Sequence, residues 1–407
     1  EAVDLACTRM LTLKFRAGLF ENPWPRKDHE RLIGNAQARA LALKAAHRSI
    51  VLLSNDGTLP LTPGAHGRVA VIGPNAAVAR LGGYSSIPRQ TVSLLEGVRA
   101  KLKGKAEVVH AQGVFITRNE DRSADEVLLA DPAWNRELIA QAVELAKTAD
   151  IILLAIGDTE QTSREGFAKN HLGDRTSLDL LGEQNDLFAA LKATGKPVVV
   201  CAINGRPPSY AAVAEGANAL LECWYPGQEG GTAMADILFG DVNPGAKLPV
   251  TVARDAGQIP IFYNRKPSAR RGYVFEDISP LFPFGFGLSY TRFEFAPPRL
   301  SSPRIGTGGE VTVEVDVRNA GQRAGDEVVQ LYVRDQTASV TRPIKELKGF
   351  ERITLAPGES RTVRMTLTPA AFALWNLDME EVVEPGLFDI MTGPDSENLQ
   401  KITLEII

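Results

Sequence analysis

Ile151-Ile152-Leu153-Leu154-Ala155-Ile156 is an unbroken apolar run rich in β-branching. A run of this length and composition reads as a strand buried on both faces, the kind found in the middle of a parallel sheet. In open sheets of that type ligands bind beyond the carboxyl ends of the strands. Here the run opens into a long polar segment, GDTEQTSREGFAKNHLGDR, from 157 to 175. An ordinary strand-to-helix connection takes about two to six residues. This one carries the acids Asp158, Glu160, Glu165 and Asp174, the bases Arg164, Lys169 and Arg175, and His171. A charged loop of that length at the mouth of a buried strand is either a functional site or a solvated excursion.

The surrounding pattern extends the sheet. Strands are expected at Ser49–Leu53, Val69–Ile72, Val108–Val109, Pro197–Ile203 and Ala219–Trp224, with helices at about 28–47, 133–147, 183–194, 209–214 and 230–239. Strands that alternate with helices imply a mainly parallel sheet covered on both faces. An amphipathic helix over 2–17, with Val3, Ala6, Met10 and Leu13 on one face, precedes them. It is too short to be a domain and reads as the last element of something upstream, in a processed or truncated chain. Prolines and aromatic residues crowd 255–290, an aromatic-pinned connector rather than a flexible linker. From 291 the pattern is strict alternation, clearest in Val311-Val313-Val315-Val317, which predicts a β-sandwich. The expected domains are therefore 1–24, 25–254, 255–290 and 291–407.

Several function classes are disfavoured. Net charge is −4 over 407 residues, against the basic face that nucleic acid or an anionic membrane would require. No apolar stretch is long enough to span a bilayer. Cys7, Cys201 and Cys223 form no metal or disulfide spacing, and the latter two read as core residues. Histidines and acids show no metal-ligand pattern, so neither metal nor cofactor is expected. Val69 to Asn75 runs from strand into glycine turn but lacks G-x-G-x-x-G, and Pro74 removes an amide a pyrophosphate would need. In Gly227-Gln228-Glu229-Gly230-Gly231 the glycines are expected to make a tight turn and Glu229 to cap the following helix.

Longer segments carry a resemblance. GDTEQTSREGF with HLGDRTSLDLLGEQNDL resembles the acid/base region of glycoside hydrolase family 3 β-glucosidases. CWYPGQEGGTAMADILFGDVNPGAKLPVT resembles that family's second domain, and LFPFGFGLSYTRFEF its connector. DEVVQLYVRD and PIKELKGFERITLAPGES resemble its fibronectin type III-like domain, and KFRAGLFENP the close of its N-terminal (β/α)8 barrel. The resemblance implies an α/β sandwich followed by a fibronectin-like all-β sandwich, with only the last barrel helix present. It implies a retaining, exo-acting β-glucosidase with β-linked oligosaccharides as substrate, the barrel part as partner, and a periplasmic or secreted location. Homo-oligomerisation stays open. The family's nucleophile is an aspartate in an S-D-W-type motif on the barrel, and no Ser-Asp-Trp occurs in this chain.

By the same resemblance Ser163-Arg164-Glu165 matches the family's S-x-E position, which makes Glu165 the general acid/base. Glu160, Ser163 and His171 are candidates for sugar contacts. Glu160 is also the rival acid and a candidate for orienting or pinning the loop. Arg164 is expected to turn away, toward Asp158, because pairing with the acid would hold it ionised. Asp174 and Arg175 are expected to close the loop on each other or on nearby backbone. Alternatives are a β-xylosidase or other β-glycosidase of the family, a non-catalytic carbohydrate-binding module, and a structural piece docking on a barrel. A pure binding module has no need of the Glu165 loop.

Overall fold

The structure is a computed structural model that describes residues 1–407 except 26, 87, 122, 123, 125, 164–174, 269–271, 273, 274 and 276. Its helices are α1 Ala2–Arg16, α2 His29–Leu32, α3 Ala36–His47, α4 Leu94–Leu102, α5 Pro132–Lys147, α6 Gln184–Lys192, α7 Ala211–Gly216 and α8 Gly230–Leu238. The strands between them are β1 Val51–Asn55, β2 Arg68–Ile72, β3 Glu107–Ala111, β4 Ile151–Gly157, β5 Val198–Ile203 and β6 Ala219–Glu222.

Among the described residues these strands form one six-stranded sheet ordered β1-β6-β5-β4-β2-β3. All neighbours are parallel except the edge strand β1, which runs antiparallel to β6. Alternate residues of β4 point to opposite layers. Ile151, Leu153 and Ala155 pack with α3, α4 and α8, whereas Ile152, Leu154 and Ile156 pack with α5, α6 and α7. Every residue of β4 is buried, as expected for a strand covered twice. The chain leaves β2 for β3 on one side and returns to β4 on the other. The crevice between the ends of β2 and β4 is thus the topological switch point, where such sheets place ligands.

Three local expectations are corrected. The helix expected over 28–47 is split into α2 and α3. Gly34 adopts φ +67, and the Asn35 side chain accepts from Ala38 N at 2.8 Å, starting a new helix. Helix α4 was not anticipated, although Ser93 and Glu96 spell a capping box that the structure shows fully formed. Glu229 stands at the start of α8 without a side-chain capping bond and instead accepts from Arg39 Nε at 2.6 Å.

Residues 311–319, 360–367 and 293–295 form one sheet of the C-terminal sandwich, and 346–355, 325–335, 386–393, 400–406 and 304–305 the other. Their inward faces, Val311, Val313, Leu331, Phe388, Ile390 and Leu404 among them, make its core. The connector joins both domains. Leu288 N donates to Leu52 O, Gly285 N to Leu248 O, and Tyr290 OH to Ile237 O, while Gln330 Nε2 donates to Gly285 O and Ser396 N to Phe284 O. Tyr263 stacks on Phe284 with centroids 4.4 Å apart. Between the domains the largely enclosed pair Lys247–Glu327 closes at 2.8 Å. Helix α1 stands apart: it buries none of its residues, and Val3, Met10, Leu13 and Phe15 are exposed.

Helices α4 and α8 approach through glycine. A Cβ on Gly231 would lie 1.9 Å from Ser93 O, and one on Gly97 would lie 2.1 Å from Gly231 O. Gly231→Ala is therefore expected to lower stability by about 1–3 kcal/mol, because the helices must separate. Urea denaturation checks this, with Gly308→Ala as the control, since a Cβ there meets nothing within 4 Å.

Candidate active site

The site begins at Gly157, the last residue of β4. Its φ is +133, and a Cβ would fall 2.0 Å from Ile203 O, so the adjoining ends of β4 and β5 require glycine. The Gln184 side chain grips this residue twice, accepting from Gly157 N at 2.8 Å and donating to Gly157 O at 3.0 Å. The polar residues that follow, Asp158, Thr159, Glu160, Gln161 and Thr162, are all buried. Buried polar groups need partners; Glu160 and Gln161 find theirs in neighbouring loops, whereas the Thr159 and Thr162 hydroxyls bond within the segment itself.

Glu160 meets the segment after β2. Its carboxylate accepts from Arg80 Nη1 at 3.1 Å and from Leu81 N at 2.9 Å. Arg80 is 4% exposed. Its Nε donates to Asn75 Oδ1 at 2.8 Å and its Nη2 to Glu120 Oε1 at 2.7 Å. Asn75 donates in turn to the carbonyls of Asp158 and Ile203. Gln161 accepts from Thr117 Oγ1 at 2.8 Å and donates to Asp121 O at 2.6 Å. Burial pushes the Glu160 carboxyl up, but Arg80 and the Leu81 amide outweigh it and hold it below the usual glutamate range. Both oxygens are engaged and the group is ionised at neutral pH, a poor source of a proton.

Asp158 faces two cations. Arg175 Nη1 lies 3.5 Å from its Oδ1 and Arg206 Nε 3.8 Å from its Oδ2. Thr162 Oγ1 donates to Oδ1 at 3.2 Å. Burial raises the Asp158 carboxyl in spite of both arginines. Arg175 was expected to pair with Asp174 or nearby backbone. Asp174 lies outside the described residues, and Arg175 meets Asp158 and, at 3.5 Å, the carbonyl of Asp179. Arg164 also lies outside them. The described stem includes half-buried Ser163, whose hydroxyl donates to Thr159 O at 2.9 Å and stands 2.6 Å from Tyr225 OH. Ser163 and Thr162 thus hold the loop stem. Glu165, Gly166 and His171 fall outside the described residues.

A further buried acid was not anticipated. Glu222 ends β6, fully enclosed, and accepts from Asn204 Nδ2 at 2.6 Å, Trp224 N at 3.0 Å and Tyr210 OH at 3.0 Å. Trp224 takes φ 54, uncommon for a bulky residue. Burial pushes the Glu222 carboxyl up to about 8, so it carries a proton at neutral pH. Its sequence signal is one acid at the end of Ala219-Leu220-Leu221, between apolar neighbours. Arg80, flanked by Val78, Ala79 and Leu81, left a comparable trace.

Between the ordinary glutamate value and about 8, folded Glu222 keeps a proton that the unfolded chain has released. Its contribution to stability therefore falls as pH rises through that window, by up to about 1.4 kcal/mol per pH unit. Glu222→Gln keeps the shape and removes the titrating group, so its denaturation free energy is expected to fall less steeply across that window than the parent's. Urea titrations at a series of pH values measure both slopes.

The profile described as glycosyl hydrolase family 3 C-terminal domain matches residues 50–290, and that described as fibronectin type III-like domain matches 327–396. A β-xylosidase of Formosa agariphila is 41% identical over 99% of this chain and 55% of its own length. A periplasmic β-glucosidase of Salmonella typhimurium is 37% identical over 100% of this chain and 55% of its own. The solved structure of a β-glucosidase from Erythrobacter marinus superposes with TM-score 0.94 at 46% identity, over 98% of this chain and 54% of that one. The chain belongs to glycosyl hydrolase family 3, with that family's C-terminal α/β domain and a fibronectin type III-like domain. It spans about half the length of the curated relatives it matches.

Proposed function

We propose that this chain is the acid/base-bearing part of a retaining, exo-acting β-glycosidase, a β-glucosidase first, that completes its site with a (β/α)8 barrel. The observation that carries the reading is the engagement of Glu160. Its oxygens are taken by Arg80 and Leu81, which counts against the rival acid, and the resemblance of Ser163-Arg164-Glu165 to the family's S-x-E position supports Glu165 as the acid of this loop. In this reading Glu160 pins the loop, Ser163 fixes its stem against Tyr225, and His171 remains a candidate sugar contact.

In the first half-reaction Glu165 donates its proton to the glycosidic oxygen as an aspartate of the barrel attacks the anomeric carbon. In the second, the Glu165 carboxylate takes a proton from water, whose oxygen displaces the aspartate. Retention requires the two carboxyl groups to stand about 5–5.5 Å apart across the scissile bond. The exposed apolar side of α1, with Val3, Met10 and Leu13, supports a barrel partner, since such a face favours burial. A β-xylosidase is the second reading, favoured by the 41% identity to a protein so named. The likeness to a periplasmic β-glucosidase supports a periplasmic or secreted site of action.

The isolated chain is expected to leave aryl β-glucosides and β-xylosides intact, because no glycosyl-enzyme forms without the nucleophile. Turnover that survives repurification would contradict this. In the complete enzyme, Glu165→Gln is expected to cripple substrates with poor leaving groups and spare activated aryl glycosides in the first step. Azide should then speed deglycosylation and yield the β-glycosyl azide. If Glu160→Gln shows this pattern while Glu165→Gln behaves like the parent, the roles belong the other way round.

A further inference from the structure

The aromatic connector and the β-sandwich together wall a cavity of about 250 Å3. Tyr263 and Phe284 come from the connector, and Lys345, Ser396 and Glu397 from loops of the sandwich. None of the residues lining it belongs to the polar segment after β4. Its walls are fixed by bonds that cross the junction. The Tyr263 ring stacks on Phe284 and meets Tyr332 edge-on, with centroids 5.7 Å apart. Its hydroxyl accepts from Leu347 N at 3.2 Å. Ile344 N donates to Arg265 O and Ser396 N to Phe284 O, each at 3.0 Å. The cavity is thus a preformed feature of the docked pair, belonging to neither unit alone.

Its lining is of two kinds. Tyr263, Phe284 and Phe262 supply aromatic surface, and Phe262 is 67% exposed. Lys345 Nζ donates to Ser396 O and lies 3.4 Å from Glu397 Oε1, which sets an ammonium and a carboxylate into the same lining. Ser396 is fully buried, and its Oγ has no hydrogen-bond partner among the described residues. A buried hydroxyl left unpaired costs stability, so its retention calls for a reason beyond folding. Aromatic walls with a few fixed polar groups are the make-up of small-molecule sites, and about 250 Å3 falls just short of the roughly 300–1,000 Å3 used for drug-sized ligands. A single pyranose fits that description: it has a flat apolar side for an aromatic face and an edge of hydroxyls that both donate and accept. Resting on the glycosidase reading above, we propose that this junction cavity is a carbohydrate-binding site for one pyranose ring, in which Ser396 Oγ bonds a sugar hydroxyl and Phe262 borders the ring.

The test uses the complete enzyme with its nucleophile first blocked by a 2-deoxy-2-fluoroglycosyl fluoride, which leaves a stable glycosyl-enzyme on a retaining glycosidase. Free D-glucose, or D-xylose if that is the sugar the enzyme releases, is titrated into the blocked protein and its dissociation constant read by saturation-transfer NMR. Saturable binding is expected. Ser396→Ala should raise the dissociation constant about three- to tenfold, the size of one neutral hydrogen bond. It should leave the melting temperature of the sugar-free protein no lower than the parent's, because the hydroxyl has no bond to lose among the described residues. Phe262→Ala should weaken binding too. Absence of saturable binding to the blocked parent overturns the proposal, and so does parent-like affinity in either variant. Where Ser396→Ala lowers the melting temperature, Phe262→Ala, at an exposed position, decides alone. A parent enzyme that takes no covalent label contradicts the glycosidase reading, and this proposal falls with it.

Discussion

The guanidinium of Arg80 is the junction on which the site depends. It lies inside the fold and reaches Asn75, Glu120 and Glu160. Those partners belong to three connections, after β2, after β3 and after β4. An isolated charge in such a place would cost several kcal/mol, and removing one partner of a buried pair typically costs about 3–5 kcal/mol. The arrangement holds because the fork of arginine donors matches several acceptors at once. The loops over the switch point are therefore one body rather than independent excursions. A rigid body there suits the reaction proposed above, in which an acid must stand at a set distance from a nucleophile carried elsewhere.

The acids of this region are separated by environment. Glu160 is kept ionised by a cation and an amide, Glu222 is kept protonated by burial that outweighs its three hydrogen-bond donors, and at Asp158 burial outweighs two arginines. The two outer cases consume acids in building the platform. The loop carrying Glu165 starts from Ser163, and the chain returns at Arg175, which meets the same Asp158 carboxylate that Thr162 does. Both stems of the segment are thus tied to one group at the end of β4.

Much of this was legible in the residues. The apolar run 151–156 announced a central strand because burial on both faces leaves no polar alternation. The alternation at Val311–Val317 announced a sandwich for the opposite reason. Helix α4 escaped because its apolar period is short and interrupted by Gly97, although Ser93 and Glu96 mark its start. The break between α2 and α3 turned on backbone geometry at Gly34, which propensity does not reveal. The network of Arg80, Asn75, Glu120 and Arg206 was not legible at all. Apart from Asn75 and Arg80, its members lie far apart in sequence and meet only because the fold brings the connections after β2, β3, β4 and β5 together. The role of Glu229 was misread for a similar reason: Arg39, its partner, arrives from another helix.

The connector has a bearing on how the chain behaves while it folds. Strand β1 lies at the rim of the sheet, and such a rim offers unpaired amides and carbonyls to any passing strand. Leu288 covers it, pairing with Leu52 and donating to its carbonyl at 2.8 Å. Residue 288 lies at the far end of the connector, next to the start of the β-sandwich. The sheet is therefore left unsealed along that border until the later segment arrives, so the connector serves as a stopper against edge-to-edge association as well as a joint between the domains.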